Sequence, residues 1–334
     1  MIPTIDAHPS RRLAFWLATF ALVTATIGIW MRASFEGWAP LAGTLPHFRH
    51  AHSHAGVYGL FFPLAALAWH EAGLPTVGVR TAALYLFASA VAVATFAVAG
   101  YALPSIVASS VVGAVWLFGA WRARGAWSRD DALRFGPLAV VIATAFVPPI
   151  ALTTRRAPLL AQELVHTFLG VLMLGVFVPA ALRRLDAKPS PLLGPLALGA
   201  AIQLGPLPTW PGAAIVAAYG LGVAHAAREL PRLPRALWWL FALGSVGALL
   251  RPHGVPHDEA IAGLHFLLLG PLFVSLSRGQ GLAAWVVSSA AATMATALLL
   301  RAHVPHADGV AAVAGGVWLV AALVLLLRPS FSAR

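Results

Sequence analysis

His47-Phe48-Arg49-His50-Ala51-His52-Ser53-His54 leads without a break into Ala55-Gly56-Val57-Tyr58-Gly59-Leu60-Phe61-Phe62. Four imidazoles and a guanidinium stand at the mouth of an apolar run. Ionisable groups at membrane depth are costly and read by default as functional. Neutral imidazole is also a common nitrogen ligand for iron, copper and zinc.

Working outward, the 334 residues are 60% hydrophobic and only 10% charged. A soluble domain carries about a quarter charged residues, and a spanning helix needs roughly 20 apolar ones. Twelve stretches approach that length, near 12–32, 48–69, 80–100, 104–121, 135–153, 158–182, 191–208, 211–227, 235–250, 257–277, 281–300 and 308–327. Short connections rich in Pro, Gly and Arg separate them. The expectation is an all-α polytopic membrane protein, a single twelve-helix transmembrane domain over 1–334. The first apolar run lacks a small-residue cleavage site and reads as a retained helix rather than a signal peptide.

Cysteine is absent, which removes disulfides, iron–sulfur clusters and thiolate sites. Only four Met remain as soft ligands, too few for a copper(I) relay. The net charge of +11 reads as topology rather than nucleic-acid binding. With twelve spans and a cytoplasmic N-terminus, sixteen basic residues face the cytoplasm. Six face outward: Arg32, Arg49, Arg155, Arg156, Arg251 and Arg301. That is a positive-inside bias. It predicts a multi-pass protein of the inner (cytoplasmic) membrane with both termini cytoplasmic.

The same topology sorts the 13 His. His8, His70 and His225 fall on the cytoplasmic side. The other ten fall in the outer half or the outer loops. Loop His are ordinary solvated residues, a reading that serves for His47, His253, His257, His303 and His306. It serves less well for His52, His166 and His265, which lie inside apolar runs. Helical phase puts His47, His50 and His54 on one stripe and His52 on the opposite face, with Gly56 and Gly59 below His52 at i+4 and i+7. Those glycines read either as a flat recess for a planar ring or as a small-residue packing groove.

His265 lies at a depth similar to that of His52, so the two could clamp one iron. Glu163 and His166, at i and i+3, read as ligands to one metal or as a hydrogen-bonded pair. Two loops repeat a theme, Arg251-Pro-His253-Gly-Val-Pro-His257-Asp258 and Arg301-Ala-His303-Val-Pro-His306-Ala-Asp308. Arg at that rim suits a carboxylate such as a haem propionate. The His pairs suit a surface Zn or Cu site, or a capping role.

On these residues the chain resembles a divergent haem–copper oxidase catalytic subunit, the superfamily of cytochrome oxidases and nitric-oxide reductases. The resemblance covers most of the length and implies a haem–copper oxidase subunit I-like bundle. Arg49-His50-Ala51-His52 matches the family's second-helix pattern and makes His52 the implied low-spin haem ligand. The tenth-helix His-x-His is reduced to Gly263-Leu264-His265, which keeps the opposing ligand and loses the active-site one. His166 resembles the sixth-helix copper ligand. The seventh-helix pair of His is absent from Gln203-Leu204-Gly205-Pro206-Leu207-Pro208-Thr209-Trp210. What the resemblance leaves is a bis-His haem without a complete haem–copper centre. His52-Ser53-His54-Ala55-Gly56-Val57-Tyr58-Gly59 and Gly316-Val317-Trp318-Leu319 also resemble NnrS-type haem membrane proteins, linked to nitric oxide.

The first functional reading is therefore an iron-containing haem b protein for electron transport or gas and redox sensing. Its haem would lie between His52 and His265, with Arg251, Arg301 and Arg49 as cations and Gly56 and Gly59 as the recess. His54, His166 and Glu163 are candidates for a second metal (Cu, Zn or nonhaem Fe) or an alternative ligand. If an enzyme, it would be an oxidoreductase of the oxidase or nitric-oxide reductase type. A redox partner or companion subunit and a diatomic gas ligand are the expected partners beside the bilayer. The alternative is a Cu/Zn transporter or sensor built on the outer His cluster. Against it, the cytoplasmic halves of the spans are almost wholly Ala, Leu and Val.

Overall fold

A chain this apolar must satisfy its backbone polar groups internally once water is gone, and helices do so within one segment. The computed structural model describes residues 9–41, 43–127, 131–154, 156–203, 210–250 and 257–328, and among them every regular element is helical. In chain order these are α1 (Pro9–Phe35), α2 (Leu45–His54), π1 (Ala55–Phe61), α3 (Phe62–Glu71), α4 (Val79–Ala99), α5 (Leu103–Arg122), α6 (Ala132–Ala145), α7 (Val147–Thr153) and α8 (Pro158–Leu172). There follow π2 (Met173–Phe177), α9 (Val178–Arg184), α10 (Leu193–Gln203), α11 (Trp210–Ala226), α12 (Arg232–Gly247), α13 (His257–Leu267), π3 (Leu268–Leu272), α14 (Phe273–Leu276), α15 (Gly281–Leu300) and α16 (Ala307–Leu326).

Nine helices among the described residues are long and apolar enough to cross a membrane. Three of the twelve expected spans fall outside that set. Leu45–Glu71 is helical throughout, but its five His, Arg49 and Glu71 dilute its apolar character. Trp210–Ala226 has 17 residues. Leu193–Gln203 has 11 and is followed by residues 204–209, which lie outside the described set. Large apolar side chains point outward along the long helices, with Phe15 72%, Phe87 68% and Leu243 68% exposed. In water such surfaces would drive association; on helices of this length they are the lipid-facing side. The protein is a polytopic helical membrane protein.

The chain divides into two compact units, one of Met1–Leu64, Arg80–Val112 and Ile261–Arg334, the other of Ala65–Val79 and Gly113–Ala260. In the first, α16 packs along α15 and α1, and α1 packs along α2 and π1. A cluster of Phe20, Ala51, Ala55, Ala92, Val93 and Phe96 forms part of its interior. In the second, α10, α11 and α12 pack in sequence, and α6, α8 and π2 surround Leu172 and Phe177.

Three long helices pass through π-helical segments, which are rare and often functional. They are the helices that carry His52, His166 and His265. The first two have the same cause. Phe62 N–H reaches back five residues to the Val57 carbonyl, and Val178 N–H to the Met173 carbonyl. The next donors in those series are Pro63 and Pro179, which have no N–H. The carbonyls of Tyr58 and Leu174 are thereby released, and each accepts a hydroxyl from another helix. Tyr85 Oη donates to Tyr58 O at 2.5 Å, and Tyr219 Oη to Leu174 O at 2.6 Å. In π3, which contains Pro271, Trp318 Nε1 donates to Leu269 O at 3.0 Å. Each π segment thus has an aromatic side chain pegged into its backbone.

Candidate functional site

The site builds from α2, which opens with Pro46 in its first turn and carries His52 toward α1. His52 Nδ1 donates to the backbone carbonyl of Thr24 at 2.9 Å. On α13, His265 Nδ1 donates to the carbonyl of Ile261, one turn earlier, at 2.8 Å. A carbonyl accepts only, so each bond puts the ring proton on Nδ1 and leaves the Nε2 lone pair outward. The two rings lie 6.3 Å apart between centroids with their planes within 15°. The two rings come from separate helices, α2 and α13. Both are half-buried.

α1 lines the His52 side. A Cβ placed on Gly28 would lie 2.9 Å from His52 Cε1. Thr24 is 9% exposed, and its Oγ1 is buried without a hydrogen-bond partner. One turn beyond Gly28, Arg32 Nη1 pairs with Asp308 Oδ1 at 2.7 Å, both side chains largely covered. The charge of Arg32 is felt at both imidazoles. Just past α1, Glu36 accepts from Gly309 N–H at 2.9 Å and His306 Nδ1 at 3.0 Å. The Gly309 amide, with His306 behind it, holds the Glu36 carboxyl below the usual carboxylate range.

The other sequence candidates are placed differently. His54 turns to α4, stacking on Phe96 at 4.1 Å and meeting the edge of Tyr58 at 4.8 Å. Its Nδ1 donates to His50 O at 2.7 Å. His50 sets its edge on Tyr101 at 4.5 Å, and Gly100, at φ 59°, lets the His47 ring lie where a Cβ would be only 2.5 Å away. The outer stripe is thus absorbed into aromatic packing. The glycines below His52 are not an open recess. A Cβ on Gly59 would fall 1.6 Å from Phe20 Cδ1, and one on Gly56 would touch Thr24 Cγ2 at 3.5 Å. α1 fills that face, because small residues let helix backbones approach closely.

Arg49 is exposed on α2, beside His50 and Tyr101. Arg301 caps the end of α15, and Arg251 lies outside the described residues. Glu163 and His166 sit one turn apart on α8, in the second unit, both partly exposed. No group of three or more His, Asp or Glu converges on a metal position among the described residues. A groove of about 680 Å³ runs along α15 and α16 past Trp38, Trp285 and His306, and neither His52 nor His265 lines it.

Sequence reasoning missed the contribution of α1. Thr24, Gly28, Arg32 and Glu36 recur every four residues, which puts them along one face of a helix. That spacing was the available signal. Arg32 was read only as a topology marker. Compared with known proteins, the chain matches no family model, no curated protein and no solved structure.

Proposed function

We propose that the protein binds one haem b between His52 and His265 and serves electron transfer or redox and gas sensing in a cytoplasmic membrane, with the His-rich end outward. The observation that carries this reading is the facing pair of imidazoles, each held by its Nδ1 on a carbonyl. The centroid separation is 6.3 Å; two metal–imidazole bonds of about 2 Å plus two half-rings would come to roughly 6 Å with both Nε2 atoms turned to one iron. A bare Zn or Cu site needs three or four protein ligands, whereas a haem iron needs at most two. The donor set therefore fits a porphyrin better than a naked ion.

When bound, the haem, held by His52 and His265, would supply one-electron chemistry. The chain's residues fix the rest. Thr24 and Ile261 carbonyls hold the imidazole tautomers and planes. Arg32 and Asp308 place an ion pair one turn beyond Gly28 on the same face of α1. The sequence resemblance to haem–copper oxidases at His52 and His265, and to NnrS-type proteins at 52–59, is in keeping with this assignment. The spans of His52, His166 and His265 each carry a π segment.

The test is an absorbance spectrum of purified protein supplied with haemin. Wild type should show a Soret band and sharp reduced α and β bands. His52→Ala and His265→Ala should each lose the pigment, while His50→Ala keeps it. A colourless wild type, or three variants with equal spectra, would overturn the assignment.

A further inference from the structure

We infer that α1 is a third wall of this site: Gly28 and the Thr24 carbonyl set the plane of the His52 ring, and Arg32, steadied by Asp308, sets the electrostatic poise of what binds there. The inference rests on the haem reading and adds positioning residues to it.

The geometry leaves His52 little freedom. Its Nδ1 bond to Thr24 O requires the ring to lie against α1, and the ring can lie there only because Gly28 has no side chain. A methyl group at 28 would press on Cε1 and Nδ1 at 2.9 and 3.2 Å. The ring would then swing away from α1 and weaken the bond that fixes its tautomer. Groups that orient a metal-ligating His typically change affinity 10–100-fold when lost.

Arg32 follows on the same face, one turn on from Gly28. Its charge reaches both rings, and its guanidinium is held by a 2.7 Å bond to Asp308. One Nη1 is engaged there, and the fork leaves further donors for a carboxylate, which Arg binds bidentately. A fixed positive charge nearby disfavours the oxidised, more positive form of a bound iron. Taking that charge away should lower the reduction equilibrium constant on the order of tenfold, for one unit charge at roughly 10 Å and an effective dielectric near 20. That is about 59 mV for one electron. Removing the Asp308 charge should move it the other way.

The experiment compares wild type, Gly28→Ala, Arg32→Gln, Arg32→Lys and Asp308→Asn, each titrated with haemin. Affinity, the low-spin electron paramagnetic resonance spectrum and the midpoint potential are the readouts. Gly28→Ala should bind about 10–100-fold more weakly and change the spectral anisotropy, which reports the imidazole plane. Arg32→Gln should lower the potential, Arg32→Lys should restore most of it, and Asp308→Asn should raise it. If Gly28→Ala does not fold, the three rim variants carry the test. Wild-type binding with unchanged spectra and potentials in every variant that folds would overturn this inference and leave the haem reading standing. So would potentials that shift in the same direction for Arg32→Gln and Asp308→Asn, the mark of an ion pair that only stabilises the fold. Failure of wild type to bind haemin would instead overturn the reading on which it rests.

Discussion

The aromatic pegs make a prediction that can be worked from the backbone upward. In π2 the Leu174 carbonyl faces Pro179 where the next i+5 donor would stand, and Tyr219 Oη fills the vacancy at 2.6 Å. Tyr219 is 1% exposed, so no water replaces it. Tyr219→Phe leaves a buried carbonyl unmatched. An orphaned buried acceptor costs about 1–3 kcal/mol, whereas side-chain hydrogen bonds inside membrane proteins average about 0.6 and reach about 1.7 kcal/mol. The two ranges overlap near 1–2 kcal/mol, and this site should lie there because Pro179 denies the carbonyl its usual alternative. Pro179→Ala restores that alternative by supplying an N–H. Tyr219→Phe should therefore cost much less in a Pro179→Ala background than in wild type, with a coupling of about 0.5–3 kcal/mol, as for residues sharing one network. The assay is a double-mutant cycle of unfolding in mixed detergent micelles, followed by far-UV circular dichroism. Additive costs, with Tyr219→Phe equally destabilising in both backgrounds, would refute the link between the proline and the peg.

Two further outcomes follow from particular contacts. Gly59→Ala should destabilise by about 1–3 kcal/mol through overpacking on Phe20, whereas Gly56→Ala, whose new methyl only touches Thr24 Cγ2, should be nearly silent; equal melting temperatures for both variants would show that α1 does not fill that face. Glu36 has a folded pKa below its unfolded value, so its contribution is fully present above about pH 4.5 and is lost as pH falls through the lowered folded value. The stability gap between wild type and Glu36→Gln should accordingly be constant near neutrality and shrink only in that acid window, and a gap that widens on acidification would contradict the assignment.

Much of the architecture is legible in composition, because apolar runs of bilayer length have few alternatives to helix. Where the reading and the structure part, the cause is local. The expected span 48–69 is helical, yet its polar residues keep it from counting as an apolar span. The π segments left a trace in Pro63, Pro179 and Pro271, but a one-residue widening does not alter hydrophobic periodicity enough to be read. Within the site, His52 and His265 are legible as imidazoles inside apolar runs, and the structure brings their rings to 6.3 Å with near-parallel planes. Gly56 and Gly59 were ambiguous because helical phase says which residues share a face and not which neighbour covers it. Phe20, 39 positions earlier in the chain, does so.

The arrangement around His52 and His265 also has an energetic logic. Each ring commits one nitrogen to a carbonyl, His52 across to Thr24 on α1 and His265 one turn back to Ile261 on α13. The second nitrogen of each remains an acceptor, and a lipid-embedded bundle has no bulk water to satisfy it. Two neighbouring acceptors cannot hydrogen-bond to each other without a proton between them. A shared proton would put a charge at that depth beside Arg32, whose own charge already acts on both rings. A Lewis acid within reach of both Nε2 atoms would engage both lone pairs at once and needs no added proton. On this view the pair of imidazoles is costly when empty and favourable when filled. The protein should therefore gain thermal stability on binding haemin by the mass-action relation between ligand concentration and affinity.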